Sequence, residues 1–339
     1  MEATLTELGG LGPDRSLTSR ILDALAGEPR SRAAHAPPPA TRLSRWLLAA
    51  CLLGGAGVVG GIAWLDDGDD QHAVAPDDER DPDRQDPKRF GPRGNTLVAD
   101  YSENRIVEMD ANGKHVWVLD DVFGAWDVKR LANGNTLITE FSVSRITEVD
   151  RNGKRVWQYE GLKNPYCASR LTVGNTLIAN TFGSEVLIVD KDGKTVWRYD
   201  DNIRPFDVEQ TAAGTYLISD VLKDRVIEVN EAKKIVWQVE GMPNAHDADR
   251  LPNGNTLITL RNKGEVVEVD AQGKRVWTLK GLSSPSDADR LPNGNTLVAE
   301  NTRVAEYDQK GARVWKQKMT WCVEAGRLPF QKAKGRRGR

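Results

Sequence analysis

Residues 94–329 are built from short apolar runs separated by turn signals. TLVAE, TLIT and VVEVD either alternate apolar with polar positions or run apolar, as half-buried and buried strands do. Asn-Gly and Asp-Gly steps lie between the runs and supply the positive φ that tight hairpins need. Helical repeats would need long runs of 3.6-residue period, and this stretch has none. The unit at 287–315 parses into four strands, DADRL, TLVAE, VAEYD and RVW, with PNGN and QKGA as turns.

The pattern is periodic. GNTL begins at Gly94, Gly134, Gly174, Gly254 and Gly294, and GTYL begins at Gly214, so the starts lie 40 residues apart. A second column, Trp117, Trp157, Trp197, Trp237, Trp277 and Trp315, ends phrases of the type KxVW or RVW. The sixth copy is shorter by two, because Gly294 to Trp315 is 21 positions where Gly254 to Trp277 is 23. Four strands per unit of about 40 residues is the signature of a propeller blade. The first GNTL lacks the DAxRLP strand that precedes the others, and VEAGRLP at 323–329 supplies one from the far end. The expected fold is all-β: a six-bladed β-propeller closed by C-terminal strand exchange, which removes both free edges, with one N-terminal transmembrane helix.

That helix is read from residues 46–65, WLLAACLLGGAGVVGGIAWL, which carry no charge. At a rise of ~1.5 Å per residue the run spans roughly one hydrocarbon thickness. Trp46 and Trp64 stand at its ends, Arg42 and Arg45 precede it, and Asp66, Asp67, Asp69 and Asp70 follow it. The positive side stays inside, so the N-terminus is cytoplasmic and the propeller extracytoplasmic. A cleaved signal peptide would need a 45-residue n-region and fits less well. A buried glycine-rich hairpin is the other alternative. Gly57 and Gly61 form a GxxxG that permits a weak homodimer. Residues 1–45 form a cytoplasmic segment too small for a domain, 66–93 an acidic, Pro-rich disordered tether, 94–330 the propeller and 331–339 a basic tail.

Net charge is −2, with 47 Lys and Arg against 49 Asp and Glu, so no global basic signal points to nucleic acid. Cys51 lies in the span, and Cys167 and Cys322 begin inner strands of non-adjacent blades. No CxxC occurs, so no structural disulfide and no zinc site are expected. No run has the alternating Asp/Asn spacing of a calcium loop. No metal and no cofactor are expected.

Three columns recur on the blades. The tryptophans are read as rings buried between neighbouring blades. Arg130, Arg170, Arg250, Arg290 and Arg327, with Gln210 in the fourth copy, form an arginine column. Asp127, Asp207, Asp247, Asp287 and Glu324, with Cys167 in the third copy, form a carboxylate column. Groups present in nearly every blade do not mark a unique site, so arginine–carboxylate contacts that stitch blades together are the preferred reading. The rival is a polar channel that binds a charged ligand or metal.

Asymmetric positions carry the candidate site. Before the carboxylate column stand Trp126, Tyr166, Phe206, His246, Ser286 and Val323, and loops on the same face carry Tyr101, Phe141 and Phe182. These rings predict an aromatic rim around a funnel, with Arg250 and Arg290 as further ligand-binding candidates. The alternative is that the rings pack one loop on the next. His246 and Asp247 are the catalytic candidates, against a structural role for a lone histidine.

EVDAQGKRVW, ITEVDRNGKRVW and HDADRLPNGNTLI resemble the propeller repeats of bacterial arylsulfotransferases. GKxVW is also similar to the tryptophan-docking repeat of pyrroloquinoline-quinone dehydrogenases. The resemblance covers residues 94–329 and rests on structural positions. The first family implies a six-bladed propeller exported from the cytoplasm, transferring sulfate between phenols through a sulfated histidine. Carried over, His246 is the nucleophile, Asp247 orients it, and Arg250 or Arg290 holds the sulfate. The chain departs from that pattern: of four histidines, His35, His72 and His115 lie elsewhere, and the family's extra N-terminal β domain is missing. Quinoproteins usually have more blades and a vicinal disulfide, and here the Asp-to-Trp spacing is seven, one residue shorter than theirs.

The expected function is a propeller anchored in the bacterial inner membrane that binds a ligand or protein partner through its funnel face without catalysis. The alternatives are sulfate transfer through His246 and, ranked below it, a quinone-dependent dehydrogenase.

Overall fold

The computed structural model describes residues 94–328. The N-terminal segment, the span at 46–65 with Gly57 and Gly61, the tether and the basic tail lie outside the described residues. No helix among the described residues is long and apolar enough to cross a membrane.

The described chain forms six four-stranded antiparallel sheets. Each is a blade whose inner strand carries the carboxylate column, or Cys167 in blade 3, and whose outer strand carries the tryptophan. Blades 2 to 6 are continuous in sequence. Blade 1 is closed by the last strand, Cys322–Arg327, which pairs with Thr96–Asp100 from Thr96↔Arg327 to Ala99↔Glu324. The C-terminal closure read from RLP is therefore present, in the register that the RLP alignment implies.

The apolar core lies between blades. One cluster joins Leu217 and Val226 of blade 4 to Ala248, Ile258 and Val267 of blade 5. The ring closes the same way, with Val98 and Val107 of blade 1 against Leu297 and Trp315 of blade 6.

A polar girdle repeats at the junctions. Each outer-strand tryptophan donates its indole N–H to a backbone carbonyl in the following blade, at 2.8–3.0 Å. The arginine column stacks on the tryptophan of the preceding blade, 4.5–4.8 Å from the ring centroid. Its guanidinium also pairs, at 2.5–2.9 Å, with a glutamate on that blade's third strand: Glu108, Glu148, Glu228, Glu268 or Glu306. The Asn of GNTL steadies the same glutamate in four blades, as Asn255 does Glu268 at 2.6 Å.

This corrects the partner expected for arginine. The carboxylate column does not pair with it. Instead Asp127, Asp207, Asp247 and Asp287 accept the backbone N–H of Ala168, Ala248, Ala288 and Ala325 in the next blade. Arginine and aspartate on one inner strand thus stitch in opposite directions, each to a different neighbour. The tryptophan rings are also less enclosed than expected: Trp315 is 1% exposed, whereas Trp117, Trp157, Trp197, Trp237 and Trp277 are half-buried.

Candidate functional site

Local backbone irregularity places the asymmetric residues. The inner strands of blades 2, 4 and 5 each shift register where Trp126, Phe206 and His246 stand. Such β-bulges insert an unpaired residue and re-aim its side chain. Tyr166 and Ser286 occupy the equivalent place just before their strands, with their N–H groups donating to Ala179 and Ala299.

The rings meet over the propeller axis. Trp126 stacks on Tyr166 with centroids 4.4 Å apart, Tyr166 contacts Phe206 at 4.3 Å, and Phe206 meets His246 edge-on at 5.0 Å. Trp126 and His246, from blades 2 and 5, lie 5.8 Å apart, so the chain of rings crosses the channel. Tyr101 and Phe141 pack on Trp126, and Phe182 packs on Tyr166 and Phe141. Tyr101, Trp126, Phe141, Tyr166, Phe206 and His246 are each at most 6% exposed. The predicted rim is therefore a stopper whose members bury one another, as the loop-packing alternative holds. Trp321, on Tyr101 at 5.2 Å, and Arg204, over Phe182 at 5.6 Å, extend it.

His246 is part of this stopper. Its Nδ1–H donates to the Ser286 carbonyl at 3.1 Å, which leaves Nε2 as the unprotonated nitrogen. Burial, and then the charge of Arg261, push its pKa well below the usual imidazole value, so the ring is neutral. Arg261 is itself held by the Ser284 carbonyl and the Ser286 hydroxyl.

The structure does not bring the other candidates to His246. Asp247 follows it on the strand, and its Oδ2 accepts the Ala288 N–H at 3.2 Å and the Thr259 hydroxyl at 3.5 Å. Arg250 and Arg290 end their strands near the opposite face, paired with Glu228 and Glu268 and stacked on Trp237 and Trp277. Cys167 and Cys322 are buried free thiols.

Beneath the stopper the inner strands line a cavity of about 220 Å³. Alternate strand residues share a face, so two polar rings face inward. The first is the carboxylate column. The second stands two positions on: Lys129, Ser169, Glu209, Asp249, Asp289 and Gly326. Burial raises the pKa of Asp247, Asp249, Asp287 and Glu324 well above the ordinary range, and like charges on the rings add to it. Glu209 is pushed up to about 7 and Asp289 to about 6, in both cases by burial first. Burial alone would discharge Lys129, but Asp127 and the other channel carboxylates hold it well above its usual value. The second ring is the +2 position of a period-two strand, but its residues do not recur in kind, so no repeated column marks it in the sequence.

A PQQ-type repeat family described as "Outer membrane protein assembly factor BamB" matches residues 222–326. No curated protein matches the chain. Among solved structures, a protein of unknown function from Bacteroides caccae is 17% identical, with a TM-score of 0.60 over 69% of this chain and 98% of that one. A chain of a nidogen/laminin complex is 11% identical, with a TM-score of 0.56 over 68% and 97%. Virginiamycin B lyase from Staphylococcus aureus is 11% identical, with a TM-score of 0.52 over 68% and 85%. At these identities the likeness concerns the fold alone. The architecture is a six-bladed β-propeller, and residues 222–326 within it are similar to a PQQ-type repeat family.

Proposed function

We propose that the chain is a non-catalytic binding propeller, anchored through residues 46–65 with its blades on the extracytoplasmic side of the bacterial inner membrane. In this reading the stoppered face takes a protein partner, and no cofactor is needed. The supporting observation is the state of His246: its imidazole is buried among Trp126, Tyr166 and Phe206, its Nδ1–H is held by a backbone carbonyl, and the candidate sulfate-holding arginines are paired elsewhere. Sulfate transfer needs an accessible nucleophile with cationic groups around the anion. A quinone would have to displace the stopper to reach the axis. The same face carries Phe123, Val143 and Leu222 at 44–50% exposure. The partial match to an outer-membrane assembly factor agrees with a scaffold role.

The test uses the full-length chain in mild detergent with an aryl sulfate and a phenolic acceptor. No phenol release is expected above buffer. Turnover abolished by His246→Ala would overturn the reading in favour of sulfate transfer. In native membranes, a photo-crosslinker at Phe123 should give a discrete adduct, and one at Val173 on the opposite face should not.

A further inference from the structure

We propose that the channel beneath the stopper is a binding site for a small organic cation carrying alkylammonium groups. Seven carboxylates line the cavity: Asp207, Asp247, Asp287 and Glu324 of the first ring, and Glu209, Asp249 and Asp289 of the second. The one ammonium among them is that of Lys129. The two arginines at the mouth, Arg130 and Arg327, are stacked on tryptophans and paired with Glu108 and Glu306; the charge of Arg327 also reaches Asp289, so they offset the interior imbalance only in part. Like charges enclosed this way favour a cationic occupant.

Three observations point to an occupant beyond the charge count. Asp127 is 4% exposed; its Oδ2 accepts the Ala168 N–H, but its Oδ1 is buried without a hydrogen-bond partner. That carboxylate belongs to the first ring, and among the charges there it acts most strongly on Glu324 of the adjoining blade 1. Second, no described donor reaches the carboxylate oxygens of Asp249 or Asp289 on the cavity wall. Third, the fold already holds one ammonium in this place: Lys129 Nζ donates to Cys167 Sγ at 3.8 Å and is kept charged by the carboxylates. A ligand ammonium would meet the same environment from the blade 5 and blade 6 side.

The occupant is organic because no three carboxylate, thiol or imidazole groups among the described residues converge closely enough to share a metal ion. An alkylammonium brings three N–H donors and tolerates longer, separated acceptors. The rings are two residues apart along the strands, roughly 6.6 Å, a separation that a four-carbon diamine can bridge with one nitrogen at each ring. Because empty rings retain protons that a cation would displace, binding should release protons and tighten as pH rises.

The experiment is calorimetric titration of the full-length chain in detergent with 1,4-diaminobutane, its uncharged counterpart 1,4-butanediol, and calcium chloride, at pH 6 and pH 8. The diamine should bind at least tenfold more tightly at pH 8, with proton release read from buffers of different ionisation enthalpy, and the diol should give no heat. Asp249→Asn and Asp289→Asn should each weaken the diamine at least tenfold without lowering the melting temperature, since neither carboxylate holds protein structure. Equal response to diamine and diol, an undiminished Asp249→Asn variant, or calcium binding in place of the diamine would overturn the proposal. The cavity lies below the stopper, so this test and the partner and sulfate tests fail independently.

Discussion

At the junction of blades 4 and 5, Arg250 lies over Trp237 and pairs with Glu228, which is buried to 14% side-chain exposure. At the junction of blades 3 and 4, the corresponding positions hold Gln210, Trp197 and Ile188. The arginine and its glutamate are lost together, although they belong to different blades. Tyr216, standing where the other repeats have threonine, covers Trp197 at 4.5 Å and joins Ile188 in one apolar cluster. Its hydroxyl is hydrogen-bonded to Gln210. One tryptophan face is thus covered by a cation with a buried counter-ion, or by an aromatic ring beside an aliphatic one. The joint change has a physical cause: removing one member of a buried ion pair leaves an uncompensated charge, whereas replacing both with packed apolar groups is close to neutral.

The largest effect should come from removing the ring that both kinds of junction share. Trp315→Ala, at the closing junction and 1% exposed, should cost about 3–5 kcal/mol in urea unfolding. Trp157→Ala should cost less, because its ring is half-buried. Next comes the ionic partner: Arg250→Gln alone should cost about 2–3 kcal/mol by stranding Glu228. The triple change Arg250→Gln, Glu228→Ile and Thr256→Tyr copies the blade 3–4 junction and should return stability to within about 1 kcal/mol of the parent. A triple variant no better than the single one would break the equivalence of the two junctions.

The smallest effect is in pH, and it has opposite signs at the junctions and in the channel. Burial opposes ionisation of Glu108, but hydrogen bonds from Arg151 and Asn95 and the charge of Arg130 hold its folded pKa below 4.5. Its contribution is present above the ordinary glutamate pKa and lost as pH falls through the folded value. Glu209 and Asp289 have raised pKa values, so the folded state keeps protons that the unfolded chain has released. Their contribution is complete below pH ~4 and is lost as pH rises toward about 7 for Glu209 and about 6 for Asp289. Melting curves of Asp289→Asn from pH 4 to 8 should be flatter than those of the parent, and an unchanged slope would remove Asp289 from the titration.

Blade number, strand order and the closing strand were legible because a blade is a local unit. A 40-residue period, turn chemistry at fixed offsets and a missing first strand are visible along the chain without knowledge of distant contacts. The arginine partner was not. Arg250 meets a glutamate 22 positions away across a blade boundary, and a nearer carboxylate, Asp247, was available on its own strand. The blade repeat places the rings of Tyr101, Trp126 and Phe206 on one face, where they join one chain of ring contacts. Whether they line an opening or fill it depends on bulges and on the axis diameter.

By itself the sequence determined the periodic part of this protein: the propeller, its six blades and the residues of each column. The periodicity is enforced by local turn geometry and nearest-neighbour packing. Tertiary structure alone decided which carboxylates stitch blades and which are left facing one another, and it decided that His246 lies in a stopper while Lys129 stands in an acidic channel. Those outcomes depend on six inner strands converging on one axis, where residues tens to hundreds of positions apart share a low-dielectric space and their charges must be settled together.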